Sequence, residues 1–94
     1  MTAPGVTAVP RVAAKARLQW DGARDRHILL YPEGLVALNP TAAEILGLCD
    51  GRRSVAEIVA VLTSRYGSGD GDITADVQAL LAGLAAKGLV TYDA

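Results

Sequence analysis

The spacing of hydrophobic residues changes near Asn39, and this change predicts the fold class. Between residues 15 and 38 the apolar side chains mostly alternate with polar ones, which is the period of half-buried β-strands. After Asn39 they recur every three to four residues, which is the period of amphipathic helices. Strands that are followed by helices, rather than interleaved with them, are typical of the α+β class. We therefore predict a three-stranded antiparallel meander, then a three-helix bundle with a short terminal strand.

Two turn signals divide the first half into three strands. Asp21-Gly22 favours a β-hairpin, and Tyr31-Pro32-Glu33-Gly34 suits a type I turn because proline fits its second position and glycine its fourth. The third strand, residues 35–38, then lies at an edge of the sheet, where its outer N–H and C=O groups lack a partner strand. It contains no proline or lysine, the residues that discourage further pairing at an edge.

Helix-boundary signals place three helices in the second half. Asn39-Pro40 combines a capping residue with the residue preferred at the first helical position, and Ser54 with Glu57 forms a capping box. The third helix is expected to begin after Asp72 and to end at Lys87-Gly88.

Opposite its apolar stripe the third helix carries mainly Ala and Gly. Such a face lets another backbone approach closely, but alanine is also the best helix former, so a contact wall and a plain solvent face both remain open.

Composition argues against several classes of function. The net charge is −1, which disfavours nucleic acid or an anionic membrane as the main partner. A single cysteine excludes an intrachain disulfide and is typical of a reducing compartment. There is no apolar run of the ~20 residues that span a bilayer, and the N-terminus lacks the pattern of a secretory signal. We expect a soluble, cytoplasmic protein without a membrane partner.

The chain offers no combination of residues that predicts catalysis or metal binding. A zinc site needs three or four ligands, whereas the chain has one histidine and one cysteine in separate elements. Cys49 fits the buried stripe of the first helix, and His27 fits a strand, so both are expected to be structural. Residues 67–71 lack the first and last ligands of a calcium loop and the Gly-Lys-Ser/Thr of a phosphate loop. We predict a flexible connector there, and an enzyme activity, a metal and a cofactor are not expected.

The residues leave three binding functions open. The last two helices and the terminal strand have the order of a winged helix-turn-helix, but the third helix carries Asp76 near the end that would enter DNA, and its one cation, Lys87, at the other end. A dimerisation module could use the alanine-rich face or the strand edge. A peptide could instead add to that edge as a further strand. An edge that is simply short, or covered by the N-terminal tail, is equally compatible with these residues.

Six segments, in one register from about residue 17 to residue 90, carry a resemblance to a known family. They are Arg17-Leu18-Gln19-Trp20, Leu29-Leu30-Tyr31-Pro32-Glu33-Gly34, Leu38-Asn39, residues 42–46, Cys49-Asp50-Gly51 and residues 54–62. These segments resemble the PqqD family of pyrroloquinoline quinone (PQQ) biosynthesis. The resemblance implies a winged-helix-like peptide-binding domain, of the type called a RiPP recognition element. It also implies an adaptor without catalytic residues that binds the ribosomal precursor peptide PqqA and presents it to the radical SAM enzyme PqqE.

The resemblance also implies where the peptide lies, since in such proteins it pairs with the third strand and lies against the third helix. Carried onto this chain, the peptide-binding residues are Leu35, Val36, Ala37 and Leu38 on the strand and Asp76, Ala79, Leu80, Gly83 and Lys87 on the helix. The helix residues follow from our expectation that the helix lines a slot beside the strand. Residues 1–14 match no part of the family and are predicted to be a flexible tail or linker remnant, so that the domain spans residues 15–94. We expect a monomer whose copies could pair through the edge strand in a crystal.

A DNA-binding measurement separates the winged-helix regulator from the peptide-binding domain. A winged-helix regulator would bind duplex DNA and lose affinity steeply as the salt concentration rises, because its phosphate contacts release counterions. A peptide-binding domain with a net charge of −1 should show no binding to duplex DNA even at low salt. Fluorescence anisotropy of a labelled duplex, titrated at two salt concentrations, checks this expectation. Salt-sensitive binding would support the regulator instead.

Overall fold

The computed structural model describes residues 7–66 and 73–93. Within them the elements follow in the order β1 (Val9–Val12), β2 (Arg17–Asp21), β3 (Arg26–Tyr31), β4 (Gly34–Leu38), α1 (Pro40–Gly47), α2 (Val55–Tyr66), α3 (Ile73–Ala86) and β5 (Val90–Asp93). Strands β2, β3 and β4 form an antiparallel sheet in that order, and β1 pairs with β5 in a second sheet. The predicted α+β class, meander, helices and terminal strand are confirmed. The likeness to a winged helix is loose, because β5 pairs with β1 rather than forming a hairpin wing.

Short connections explain why the three central strands form a meander. Only Pro32 and Glu33 lie between β3 and β4, as the turn signal predicts. The connection between β2 and β3 comprises residues 22–25 and is longer than the two-residue turn typical of Asp-Gly. Asp25 ends this loop with a φ of 53°, a conformation that aspartate tolerates better than most residues. The hairpin predicted at Asp21-Gly22 is therefore present with a different turn.

The first two helices begin at the predicted capping residues. Oδ1 of Asn39 accepts a hydrogen bond from the N–H of Ala42 at 2.7 Å. In α2 the capping box is complete: the N–H of Ser54 donates to Oε1 of Glu57 at 2.8 Å, and the N–H of Glu57 donates to Oγ of Ser54 at 3.1 Å. Each cap satisfies backbone donors that have no partner inside the helix.

The end of α3 turns the chain into β5. Gly88 has a φ of 74°, and the N–H of Leu89 reaches back to the carbonyl of Leu84 at 2.9 Å. This is the Schellman geometry expected where glycine follows a helix. The predicted cap Asp72 and the predicted connector at residues 67–71 lie outside the described residues.

The core is aliphatic, as a chain without phenylalanine requires. It lies between the inner face of the meander and the three helices, and burial of each large side chain stabilises the fold by about 2 kcal/mol. The core side chains with almost no exposed surface are Leu29, Val55, Ile58, Leu62, Val77, Leu81 and Leu89. None of the described helices has both the length and the apolar character that a membrane-spanning helix requires.

Residues 7–14 differ from the flexible tail that is predicted over residues 1–14, whereas residues 1–6 lie outside the described residues. Strand β1 pairs with β5 on one side. On its other side the N–H of Gly51 donates to the carbonyl of Pro10 at 3.1 Å, and the N–H of Val12 donates to the carbonyl of Cys49 at 3.3 Å. Pro10 is also among the fully buried residues. The predicted domain boundary at residue 15 is therefore too late, because β1 belongs to the folded domain.

The misleading signal was proline. A proline has no N–H to donate and is usually found at strand edges or starts, so Pro10 argued against a strand. In the structure the carbonyl of Pro10 accepts a hydrogen bond from the N–H of Gly51 in the α1–α2 connection, so this side of β1 is paired although Pro10 has no N–H. The sequence alone does not reveal that a residue about forty positions away supplies this donor.

Removing β1 should destabilise the domain. A chain that begins at residue 15 loses the β1–β5 ladder and the donors to Cys49 and Leu89, which we expect to lower the free energy of unfolding by about 3 kcal/mol or more. Chemical denaturation of chains that begin at residue 7 and at residue 15 isolates the contribution of β1. Equal stability of the two chains would mean that β1 is a dispensable tail.

Candidate functional site

Strand β4 is an edge strand, as the sequence predicts. It pairs with β3, and no other described strand lies along its outer side. The opposite edge, β2, carries Arg17, Gln19 and Asp21, and charged side chains discourage pairing. β4 carries no charge and no proline. It is therefore the edge that is better suited to accept another extended chain.

The register of the β3–β4 hairpin determines which residues offer backbone groups at this edge. Tyr31 and Gly34 close a two-residue turn, and the closing pair of such a turn is hydrogen-bonded. Hydrogen-bonded and non-hydrogen-bonded pairs then alternate along the strands. Val36 therefore directs its N–H and C=O toward β3, whereas Leu35 and Ala37 direct theirs toward the open side.

The side chains of β4 are divided between two faces. Val36 is half-buried against the core and Leu38 is only 6% exposed. Leu35 is 47% exposed, and Ala37 is also exposed on that outer face. Of the four predicted strand residues, Leu38 thus offers no side chain to the surface.

The predicted helix residues lie along the outer side of α3. Asp76, Ala79 and Gly83 are exposed, and Leu80 is half-buried at the margin of the core. A Cβ added at Gly83 would meet no atom within 4 Å outside the local helix backbone, so this part of the helix is open. Lys87 is exposed too, but it lies in the turn that follows α3 rather than on the helix.

Two adjoining pockets lie between α3 and α1. The first has a volume of about 300 Å³ and is lined by Asn39, Thr41, Ala42, Ile45, Asp76 and Leu80. The second has a volume of about 220 Å³ and is lined by Thr41, Ile45, Leu62, Tyr66, Ile73, Asp76 and Val77. Because Thr41, Ile45 and Asp76 line both, we treat them as one surface, the α1–α3 groove.

The α1–α3 groove brings together only part of the predicted helix set. Asp76 and Leu80 line it, whereas Ala79, Gly83 and Lys87 do not, and no residue of β4 lines either pocket. The groove begins at the residue that follows β4, so it continues from the strand edge. The role of the individual helix residues in peptide binding stays a prediction.

No signal in the sequence marks the α1 side of this groove. Ile45 lies four residues before Cys49 on the same buried side of α1 and is 3% exposed. Thr41 gave no signal, because an exposed threonine near a helix start is common. Which helix packs beside it depends on contacts between elements that are distant in the sequence.

Asp76 is the only charged residue among the described ones that line the α1–α3 groove. Within the part of the chain that the structure describes, its carboxylate has no hydrogen-bond or ion-pair partner. Nearby on α1, Glu44 is different: it accepts hydrogen bonds from the hydroxyl of Tyr66 and from Arg65, and these contacts lower its pKa. Glu44 is thus already engaged, whereas Asp76 is available to a ligand.

Cys49 and His27, the two residues considered for catalysis, have the surroundings of structural residues. The thiol of Cys49 is buried and donates to the carbonyl of Ile45 at 3.3 Å, and burial raises the pKa of this thiol to about 12. It is therefore protonated at neutral pH and unsuited to act as a nucleophile. The ring of His27 contacts that of Trp20 edge to face, with 4.8 Å between centroids. Among the described residues no group of three or more His, Cys, Asp or Glu side chains could hold a metal ion.

Comparison with known proteins identifies one family. Residues 26–90 match the family model described as Coenzyme PQQ synthesis protein D (PqqD). A relative from Pseudomonas aeruginosa (strain UCBPP-PA14), named PqqA binding protein, is 52% identical over 66 residues, which cover 70% of this chain and 72% of the relative. A protein of the same name from Rhodopseudomonas palustris (strain HaA2) is 44% identical over 82 residues, covering 87% of this chain and 80% of the relative.

A solved structure agrees with this match. It is the solution NMR structure of the PqqD truncation of Methylobacterium extorquens PqqCD, described as a functional and stand-alone RiPP recognition element. It is 38% identical in sequence, has a TM-score of 0.76, and the alignment covers 88% of each chain. The family match contains β4, α1 and α3, the elements that form the open edge and the groove. The chain belongs to the PqqD family of PQQ synthesis proteins.

Proposed function

We propose that this protein is a peptide-binding adaptor of PQQ biosynthesis that binds the precursor peptide PqqA and presents it to the radical SAM enzyme PqqE. The observation that carries the proposal is the open, uncharged edge of β4 in a chain that belongs to the PqqD family. Relatives named PqqA binding protein support the identity of the peptide. The adaptor acts as a monomer without catalytic residues or a cofactor. An unpaired cysteine fits the reducing cytoplasm as its compartment.

The peptide binds as an additional strand beside β4. The N–H and C=O groups of Leu35 and Ala37 pair with its backbone, and each such hydrogen bond contributes about 1 kcal/mol net. Side chains of the peptide then alternate between two sides. Those on the inner side approach Val36 and Leu80, which are half-buried against the core. Those on the outer side lie next to Leu35.

Strand addition suits an adaptor because it uses a short part of the peptide. Strand β4 has five residues, so the paired segment is about 17 Å long. The remainder of the precursor stays outside the adaptor and can enter the active site of an enzyme. Main-chain pairing supplies affinity, and the side chains beside it supply selectivity.

Replacing Ala37 by proline should weaken PqqA binding by at least about tenfold and leave the domain folded. The substitution removes an N–H from the open side of β4, a position where an edge strand tolerates proline. Calorimetric titration with PqqA measures the affinity, and thermal unfolding measures the stability.

Two matched variants give this experiment its controls. Ala37→Val keeps the backbone donor and should bind PqqA as the unmodified chain does. Val36→Pro should instead destabilise the domain, because the N–H of Val36 faces β3. An Ala37→Pro domain that binds PqqA with undiminished affinity would contradict strand addition.

Replacing Gly83 by leucine should weaken PqqA binding without loss of stability. The position has room for a side chain, and glycine is a poor helix former, so the helix itself gains stability. The leucine side chain would project from α3 into the space proposed for the peptide. Gly83→Ala is the control: it should stabilise α3 by up to about 1 kcal/mol with a smaller effect on binding. Equal affinities of all three chains, measured by the same titration, would remove Gly83 from the peptide site.

A further inference from the structure

The composition and position of the α1–α3 groove indicate which ligand it binds, and this inference rests on the proposed function and extends it. We propose that this groove is a selectivity site for one basic side chain of the bound peptide, a lysine or arginine immediately beyond the segment that pairs with β4. Its ammonium or guanidinium group pairs with Asp76, and its methylene groups pack on the apolar part of the groove.

The position of the groove follows from chain continuity. Asn39 directly follows the last residue of β4 and also lines the groove. A peptide that extends along β4 past Leu38 therefore meets the groove next. On its other side Leu80 of α3, which is half-buried against the core, lines the same pocket. The groove is in this way an extension of the strand site rather than a separate surface.

The chemistry of the groove fits an amphipathic side chain. Ala42, Ile45 and Leu80 provide apolar contacts, and Thr41 and Asn39 provide polar ones. Lysine and arginine bury their aliphatic stems on apolar surface while the charged group stays near water. A purely apolar side chain would cover the carboxylate of Asp76 without replacing the water that hydrates it, which is unfavourable. An acidic side chain would be repelled.

The charge of the groove favours the same occupant. Of the described residues that line it, Asp76 alone is charged, and no described residue pairs with Asp76. Lys87 is eleven positions further along the chain, about 16 Å along a helix axis, too far to neutralise Asp76. A cation supplied by the ligand is therefore the complement that the described residues do not provide.

A second copy of the chain would not supply this cation. Pairing of two β4 edges would bring the residues that flank β4 into the groove of the other copy. These residues are Pro32 and Glu33 before the strand and Asn39, Pro40 and Thr41 after it, and none of them is basic. The unpaired carboxylate thus distinguishes a basic peptide from self-association.

Charge removal at Asp76 tests the inference. Asp76→Asn should weaken PqqA binding about two- to fivefold, the range expected for a partly exposed ion pair, and Asp76→Lys should weaken it more. Glu33→Gln is the matched control, because it removes one exposed negative charge at the other end of β4 and should leave the affinity unchanged. Thermal unfolding of each variant confirms that the domain remains folded.

A double-mutant cycle identifies the partner on the peptide. PqqA peptides in which each lysine or arginine is singly replaced by glutamine are titrated into the unmodified chain and into Asp76→Asn. One replacement should weaken binding to the unmodified chain and have no further effect in Asp76→Asn, since the interaction is already absent there.

The possible results separate this inference from the proposed function. If PqqA binds but Asp76→Asn binds it equally well, the basic-side-chain site is wrong and strand addition stands. Equal weakening by Asp76→Asn and Glu33→Gln would show general electrostatic attraction and would also overturn the site. If PqqA does not bind the unmodified chain, the proposed function itself fails.

Discussion

The need to pair backbone N–H and C=O groups is the constraint on which the other features of this domain depend. Strand β1 meets it on both sides, through β5 and through the connection between α1 and α2. The first two helices meet it at their starts with side-chain caps. Strand β4 meets it with β3 on one side and leaves the other side to solvent or to a partner. The proposed function is thus a consequence of where the chain stops pairing with itself.

The aliphatic core determines what kind of partner the surface can accept. The core side chains are small and branched, and two of the concave surfaces that the described residues form lie between packed helices. Such shallow grooves suit an extended polypeptide that brings its own hydrogen-bonding groups. The neutral thiol of Cys49 and the edge-to-face contact of His27 with Trp20 are typical of structural residues.

The sequence-based interpretation succeeded where the relevant physics is local. The cap at Asn39, the capping box of Ser54 and Glu57, and the glycine that ends α3 each act within about four residues, and all are present in the structure. The interpretation failed at β1, because the partners of Pro10 lie about forty and eighty residues away in the sequence. It was incomplete at the loop after β2, because Asp21 of the two-residue signal ends the strand and the loop comprises four residues, 22–25.

The sequence by itself determined the α+β class, the meander, the helix boundaries at their caps, the uncharged edge strand and the family resemblance. These follow from periodicity and from contacts between near neighbours along the chain. Only the tertiary structure decided that β1 closes the domain, that Leu38 faces the core, and that Asp76 lies beside Thr41 and Ile45. Those arrangements depend on how separate elements pack against each other, and periodicity within one element contains no information about its neighbour.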